Sequence, residues 1–171
     1  SSGDNVSYCF DIDQKNYANR FNYPESSPVY GPAEGYTSGT FGKGQSFPVT
    51  FSLAGYSSSA GVPSVCHYSL ATVSSFVHSI SYSFADAVSD TSFWGHHTVR
   101  GNISGLVPAD GKVTFSASIL DDNHASTDAM AVAYLRVMYP RTLVAKTDSL
   151  TDAYLPLSGT GAYKSVRFSG L

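Results

Sequence analysis

Apolar and polar side chains alternate with a period of two through most of this 171-residue chain, the signature of strands with one face buried and the other wet. Residues 6–12 put Val6, Tyr8, Phe10 and Ile12 on one parity, and residues 47–53 set Val49, Phe51 and Leu53 against Thr50 and Ser52. Two further runs, 65–73 and 76–84, are separated by little more than Ser74 and Ser75 and predict a hairpin or a bulged continuous ribbon. In the second of them Phe76, His78, Ile80, Tyr82 and Phe84 oppose Ser79, Ser81 and Ser83. Residues 97–103 predict another strand. Residues 112–120 alternate again, with Val113, Phe115, Ala117 and Ile119 against Thr114, Ser116 and Ser118. Residues 86–92 read as a polar turn with room for one helical turn at most, and short strands are expected at 154–157 and 164–168. Residues 16–44 have no sustained period and read as a long connection with short strand pieces.

One stretch departs from this half-wet pattern. Residues 128–143 read DAMAVAYLRVMYPRTL, and from Met130 to Tyr139 every residue except Arg136 is apolar or aromatic. Strict alternation lines Ala131, Ala133, Leu135, Val137 and Tyr139 on one side and Met130, Val132, Tyr134, Arg136 and Met138 on the other, so both faces are mostly dry. Such a strand belongs in the middle of a sheet, and Pro140, which cannot donate to the ladder, marks its end. About eight strands with turn signals between them and no helical period predict an all-β antiparallel sandwich. It would be of the jelly-roll or immunoglobulin-like kind, as in galactose-binding and carbohydrate-binding modules. The chain is expected to be a single domain, residues 1–171, cut from a larger secreted protein.

Composition narrows the setting. The chain is 42% hydrophobic but only 13% charged, with abundant Ser, Gly, Thr and Tyr, the profile of an extracytoplasmic β domain. A net charge of -3 with ten scattered Lys and Arg offers no field for nucleic acid, and no apolar run is long enough for a membrane helix. Cys66 alternates with Tyr68 and Leu70 while Cys9 shares the parity of Ser7 and Asp11. That places the two thiols in different surroundings and speaks against a disulfide.

Few constellations suggest chemistry. Cys66 and His67 are neighbours on a strand and point to opposite faces, so they cannot form a nucleophile–base dyad. Asp11 and Asp13 could share a face as glycosidase carboxylates do, but Asp pairs are common at strand ends and turns. Residues 121–128 (DDNHASTD) carry oxygen ligands without the spacing of a calcium loop. No metal and no cofactor is expected, and His78 on its apolar face reads as a satisfied core histidine. Trp94, with His96 and His97 beside it, has two readings: a platform that stacks a sugar while the imidazoles take hydroxyls, or a plug closing one end of the sandwich. Tyr30 and Tyr36 of the long connection have the same two readings, ligand contact or anchors that hold the connection down.

The exit of the apolar stretch, AVAYLRVMYPRTL, resembles a motif of the gingipain-related surface peptidases of the Bacteroidetes type IX secretion system, the PorU-like sortases. In that family a jelly-roll domain ahead of the cysteine peptidase domain ends on a strand of the form G-Y-L-D-Y-I-x-x-x-Y-x-R-x-L. Tyr134, Leu135, Val137, Tyr139, Arg141 and Leu143 occupy comparable positions, and YCFDIDQKNYANRF resembles the family's early strand with its acidic residue. The sequence departs from the pattern at Ala133, where the family tends to have Gly, and at Arg136, where it tends to have Asp. The resemblance implies a non-catalytic accessory domain, secreted, periplasmic or on the outer-membrane surface, with an adjacent peptidase-like domain or another protein as partner. No catalytic residue carries over, and Tyr139 and Arg141 would be structural, Arg141 bonding backbone carbonyls or a carboxylate in the loop after the strand. The rival expectation is a carbohydrate-binding module, with sugar as the partner.

Overall fold

The structure, a computed structural model, is described over residues 8–20, 36–72, 77–95, 98–121 and 127–142. Among these residues eight strands of seven residues or more build the molecule: β1 (Tyr8–Asn16), β5 (Ser46–Ser52), β6 (Ser64–Thr72), β7 (Val77–Phe84), β8 (Ala87–Trp94), β9 (Thr98–Gly105), β10 (Lys112–Ile119) and β11 (Ala129–Thr142). Three two-residue pieces, β2 (Asn19–Arg20), β3 (Tyr36–Thr37) and β4 (Phe41–Gly42), lie within the long connection. One sheet runs β1-β11-β6-β9 with β4 also pairing β11, and the other runs β5-β10-β7-β8. All pairings within both sheets are antiparallel. The fold is an all-β antiparallel sandwich, as the alternation predicts. The strands expected at 154–157 and 164–168 lie outside the described residues.

The core is the interleaved inner faces. Cys66, Tyr68, Leu70, Leu135 and Val137 from the first sheet meet Phe51, Ile80, Phe84, Phe115 and Ile119 from the second. Aromatic rings bridge the layers: Tyr68 lies 4.8 Å from Tyr82 and 5.7 Å from Phe115, centroid to centroid. Tyr68 has room because Gly101 faces it across the β6–β9 pair, and a Cβ at Gly101 would stand 2.6 Å from the Tyr68 hydroxyl.

Several expectations change. Strand β11 is central, flanked by β1 and β6, but its alternation is broken by a bulge between Val132 and Tyr134, where β6 advances by one residue and β11 by two. Ala133 is the extra residue. The bulge brings Met130 and Val132 onto the same buried face as Leu135, Val137 and Tyr139, so one continuous apolar stripe forms from two sequence parities. The other face is not dry from Tyr134 onward, where Arg136 is exposed and Tyr134 and Met138 are half-buried. Pro140 does not end the strand: it pairs with Phe10 while its carbonyl accepts from Ser57 N–H at 2.9 Å. Because N and O of one residue point to the same side of a strand, the missing donor faces the loop before β6 and leaves the β1 ladder intact.

Strand β1 is turned over relative to its apolar parity. Cys9 is buried, Asp11 bonds Arg141 and Tyr139, and the Lys15 ammonium lies 5.4 Å from the Phe51 ring centre, so the polar parity faces inward and Tyr8, Phe10 and Ile12 lie on the outer face. Both cysteines are free. Their separation has a different cause from the one expected: both point inward, but they flank β11 on opposite sides, at Arg141 and Val137, and two strand spacings of about 4.8 Å exceed the reach of a disulfide. The hairpin expected between 65–73 and 76–84 does not form, because β6 and β7 belong to different sheets. The polar turn expected at 86–92 is strand β8, which pairs β7 along its whole length through a tight turn at Ala85 and Asp86. Its strict alternation, half-buried then exposed, belongs to an edge strand, and its small polar residues hid it.

Two outcomes are expected. Gly101→Ala forces its methyl into the Tyr68 ring and lowers stability by about 1–3 kcal/mol in chemical denaturation, and a Gly101→Ala/Tyr68→Leu double variant recovers part of the loss. The second concerns alkali. Burial pushes the Cys66 thiol from its usual 9.0 to about 12, pushes the Tyr139 phenol from 10.0 to about 12 with Asp11 adding to the effect, and raises Tyr68 further. These groups ionise in the unfolded chain before they ionise in the folded one, so their contribution is complete below about pH 9 and is lost as pH climbs towards 12. The urea midpoint should fall steadily across that window, and less steeply in Cys66→Ala.

Candidate functional site

The outer face of the β1, β11 and β6 strands carries an open groove of about 590 Å³, a volume in the range of small-ligand sites. Its floor follows the register of the sheet. Gln14, Arg136, His67 and Asn102 face one another across four strands, and Asn16, Tyr134, Ser69 and Arg100 form the next row. Ile12 and Met138 continue the groove at its apolar end, and Ala133 and Tyr36 line it at the other. The sequence folds this way because the bulge commits β11's aliphatic residues to the core and turns Tyr134, Arg136 and Met138 out.

Two hydrogen bonds organise the floor. Arg136 donates from Nε to Gln14 Oε1 at 2.9 Å, and Gln14 Nε2 donates to Asn16 Oδ1 at 2.6 Å. The bond engages only Nε of Arg136, an exposed side chain. Tyr36 is 52% exposed and stands at the groove; the sequence leaves it between ligand contact and an anchor for the connection. Tyr17 also borders it, but its ring packs edge-on against Phe47 at 6.2 Å, and burial raises its phenol above the usual value. Tyr17 is therefore a wall.

Tyr134 of the β11 motif also lines the groove, but Trp94, the other expected ligand-contact residue among those described, does not. Trp94 ends β8 on the outer face of the other sheet, opposite Val77, and is 68% exposed. It does not plug the sandwich, and it lies across the molecule from Tyr36. Around it that face is clad in hydroxyls that bond in pairs, Thr50 with Thr114 at 3.0 Å, Ser118 with Ser46 at 2.9 Å and Ser79 with Ser92 at 3.2 Å. Tyr30, His96, His97 and Leu143 lie outside the described residues.

Two polar clusters hold the ends of β11. At its entry His78, completely buried, sets Nδ1 2.7 Å from Asp128 Oδ1, and its Nε2 donates to the Gly95 carbonyl at 3.1 Å. His78 is thus the satisfied core histidine that its apolar face predicts; its partner Asp128 was not legible, because Asp128 sits in a polar run beside the strand. At the exit Arg141 Nη1 donates to Asp11 Oδ2 at 2.7 Å, and the Tyr139 hydroxyl shares its proton between the Ala54 carbonyl at 3.2 Å and Asp11 Oδ2 at 3.4 Å. The carboxylate is on β1, not in a loop after β11. Gly55, at φ 69°, lets the chain pass over the Arg141 side chain, where a Cβ would already be 3.3 Å away. Asp11 is therefore engaged in a structural ion pair. Cys66 points into the core and His67 into the groove, on opposite faces as alternation requires. Among the described residues no three His, Cys, Asp or Glu side chains gather as metal ligands, and no helix is long and apolar enough to cross a membrane.

The groove residues Gln14, Asn16, His67 and Arg136 were not singled out from sequence. A signal was available: His67 had to face away from Cys66, and Arg136 interrupted an apolar run. Without the strand order, nothing said that they share a surface.

No protein-family model matches the sequence, and no curated protein does. Solved structures do resemble the fold. The crystal structure of dimeric latent PorU from Porphyromonas gingivalis superposes with a TM-score of 0.58 at 14% identity, over 84% of this chain and 14% of that one. The CBM36-1 domain of a multidomain xylanase from the hindgut metagenome of Trinervitermes trinervoides aligns at a TM-score of 0.44 and 13% identity, over 75% of this chain and 95% of that one. TmCBM61, solved with beta-1,4-galactotriose, aligns at 0.40 and 12% identity, over 74% and 86%. The chain spans a small part of the PorU chain, and the fold it shares with that part is an antiparallel β-sandwich.

Proposed function

We propose that this chain is a non-catalytic accessory sandwich of a larger secreted or cell-surface peptidase-like protein of the gingipain-related sortase group, serving packing, positioning or protein recognition. One observation carries the reading. The two sequence fragments that resemble the family, the YCFDID strand and the AVAYLRVMYPRTL strand, are neighbours in the sheet from Tyr8↔Thr142 to Asn16↔Tyr134, and their distinctive side chains, Asp11, Tyr139 and Arg141, bond one another. Residues 128 and 130 positions apart thus form one physical unit, and the sandwich shared with a 14% portion of the PorU chain supports the same assignment. Ala133 stands at the bulge, a position where Gly is common for backbone reasons, so that departure from the family pattern costs the fold little.

A second reading, a carbohydrate-binding module, is favoured by the exposed Trp94 and Tyr36 rings. Flat rings in contact with water suit sugar faces, while nearby hydroxyls and amides suit their oxygens.

The complete reading frame tests the first reading: a cysteine peptidase domain in the same protein is expected, and a frame without one overturns it. In the isolated chain Arg141→Gln should lower stability by about 1 kcal/mol, the scale for a partly exposed ion pair, without altering binding of the purified peptidase part. Glycan binding by the isolated chain that Trp94→Ala abolishes would instead establish the module reading on the hydroxyl-clad face.

A further inference from the structure

We propose that the groove on the outer face of β1, β11 and β6 binds an acidic oligosaccharide, with Arg136 and His67 receiving a sugar carboxylate; the proposal rests on the carbohydrate reading of the chain and moves its site away from Trp94. The floor of the groove is built from hydrogen-bonding side chains in register: Gln14, Arg136 and His67 lie side by side on three adjacent strands. Arg136 donates through Nε to Gln14 at 2.9 Å, and on this exposed side chain both terminal nitrogens remain available as a two-pronged donor. A carboxylate is the planar acceptor that such a fork fits.

The charge of the lining points the same way. Among the described residues the groove is lined by Arg136 and His67 and by no Asp or Glu, because the turned-over β1 sends Asp11 to Arg141 on the inner side. An anion placed here meets a cation and amide donors, with no acidic group among the described residues of the walls. The neighbouring positions suit the body of a sugar: Tyr36 offers an exposed ring, Tyr134 a half-buried one, and Asn16 and Gln14 donors and acceptors for hydroxyls. From Ile12 to Asn16 the floor runs about 13 Å at roughly 3.3 Å per residue, room for a short oligomer and not for a single ring alone.

The test is calorimetric titration of the 171-residue chain with a galacturonate oligomer and, separately, with a neutral galactose oligomer of equal length. The acidic oligomer should bind, the neutral one at least about tenfold more weakly, and added salt should weaken the first and not the second. Arg136→Gln should lower affinity for the acidic oligomer about tenfold and abolish the preference, while Trp94→Ala leaves both titrations unchanged. Arg136 is exposed, so circular dichroism should show its variant folded; Arg136→Lys, which keeps the charge and loses the fork, should fall between the two. Equal binding of the two oligomers, or binding of the neutral one only, overturns the acidic assignment and leaves the carbohydrate reading standing. Loss of binding in Trp94→Ala places the sugar on the opposite face and overturns the groove. Binding of neither oligomer overturns this inference and counts against the carbohydrate reading, while the accessory-domain reading is tested separately by the reading frame.

Discussion

One extra residue in the central strand sets the arrangement of everything around it. Strand β11 has to present a single unbroken apolar stripe to the opposing sheet, yet its large aliphatic residues occupy even positions before Ala133 and odd positions after it. A regular strand would bury half of them and expose the rest, at about 25 cal/mol for each Å² left in water. The bulge joins the two half-stripes, and Met130, Val132, Leu135, Val137 and Tyr139 all enter one core. Ala133 lies between Val132 and Tyr134 in the only break of the β6 register, and it manages this without a left-handed backbone, since Ala85 alone among the described non-glycine residues has positive φ.

The strand so placed is fixed at both ends by polar contacts to the opposing layer and to β1. At entry, Asp128 reaches His78 of the opposing sheet; at exit, Tyr139 reaches the Ala54 carbonyl just beyond β5 while Arg141 holds Asp11 of β1. Their energies differ in kind. The His78 and Asp128 side chains are completely buried, so removing either leaves a desolvated polar group and costs on the order of 3–5 kcal/mol. The Arg141–Asp11 pair is about a quarter exposed on each side and is correspondingly screened, contributing more to register than to stability.

What the core takes from β11 decides what the outer surface receives. Once the bulge has committed the aliphatic residues inward, Tyr134, Arg136 and Met138 must face out, and β1, turned so that Asp11 can meet Arg141, presents Ile12, Gln14 and Asn16 beside them. The groove is a by-product of the two constraints that hold the sandwich together. The second sheet's outer face has no such history: small hydroxyl side chains pair across its strands, and Trp94 stands at its edge.

The sequence by itself determined the class of the fold and most of its strands, because alternation over seven or eight residues is a local consequence of one buried face; residues 46–52, 77–84 and 112–119 show it in their plain apolar–polar rhythm. It also determined that Cys66 and His67 cannot act together and that His78 is a core residue, since both follow from parity alone. Tertiary structure decided the rest. Whether β6 pairs β7 or crosses to the other sheet, which side of β1 is inward, and where β11 slips by one residue depend on partners distant in the chain, and no local period encodes them. The groove was invisible for that reason: Gln14, His67 and Arg136 are far apart in sequence, and only the strand order β1-β11-β6 makes them neighbours.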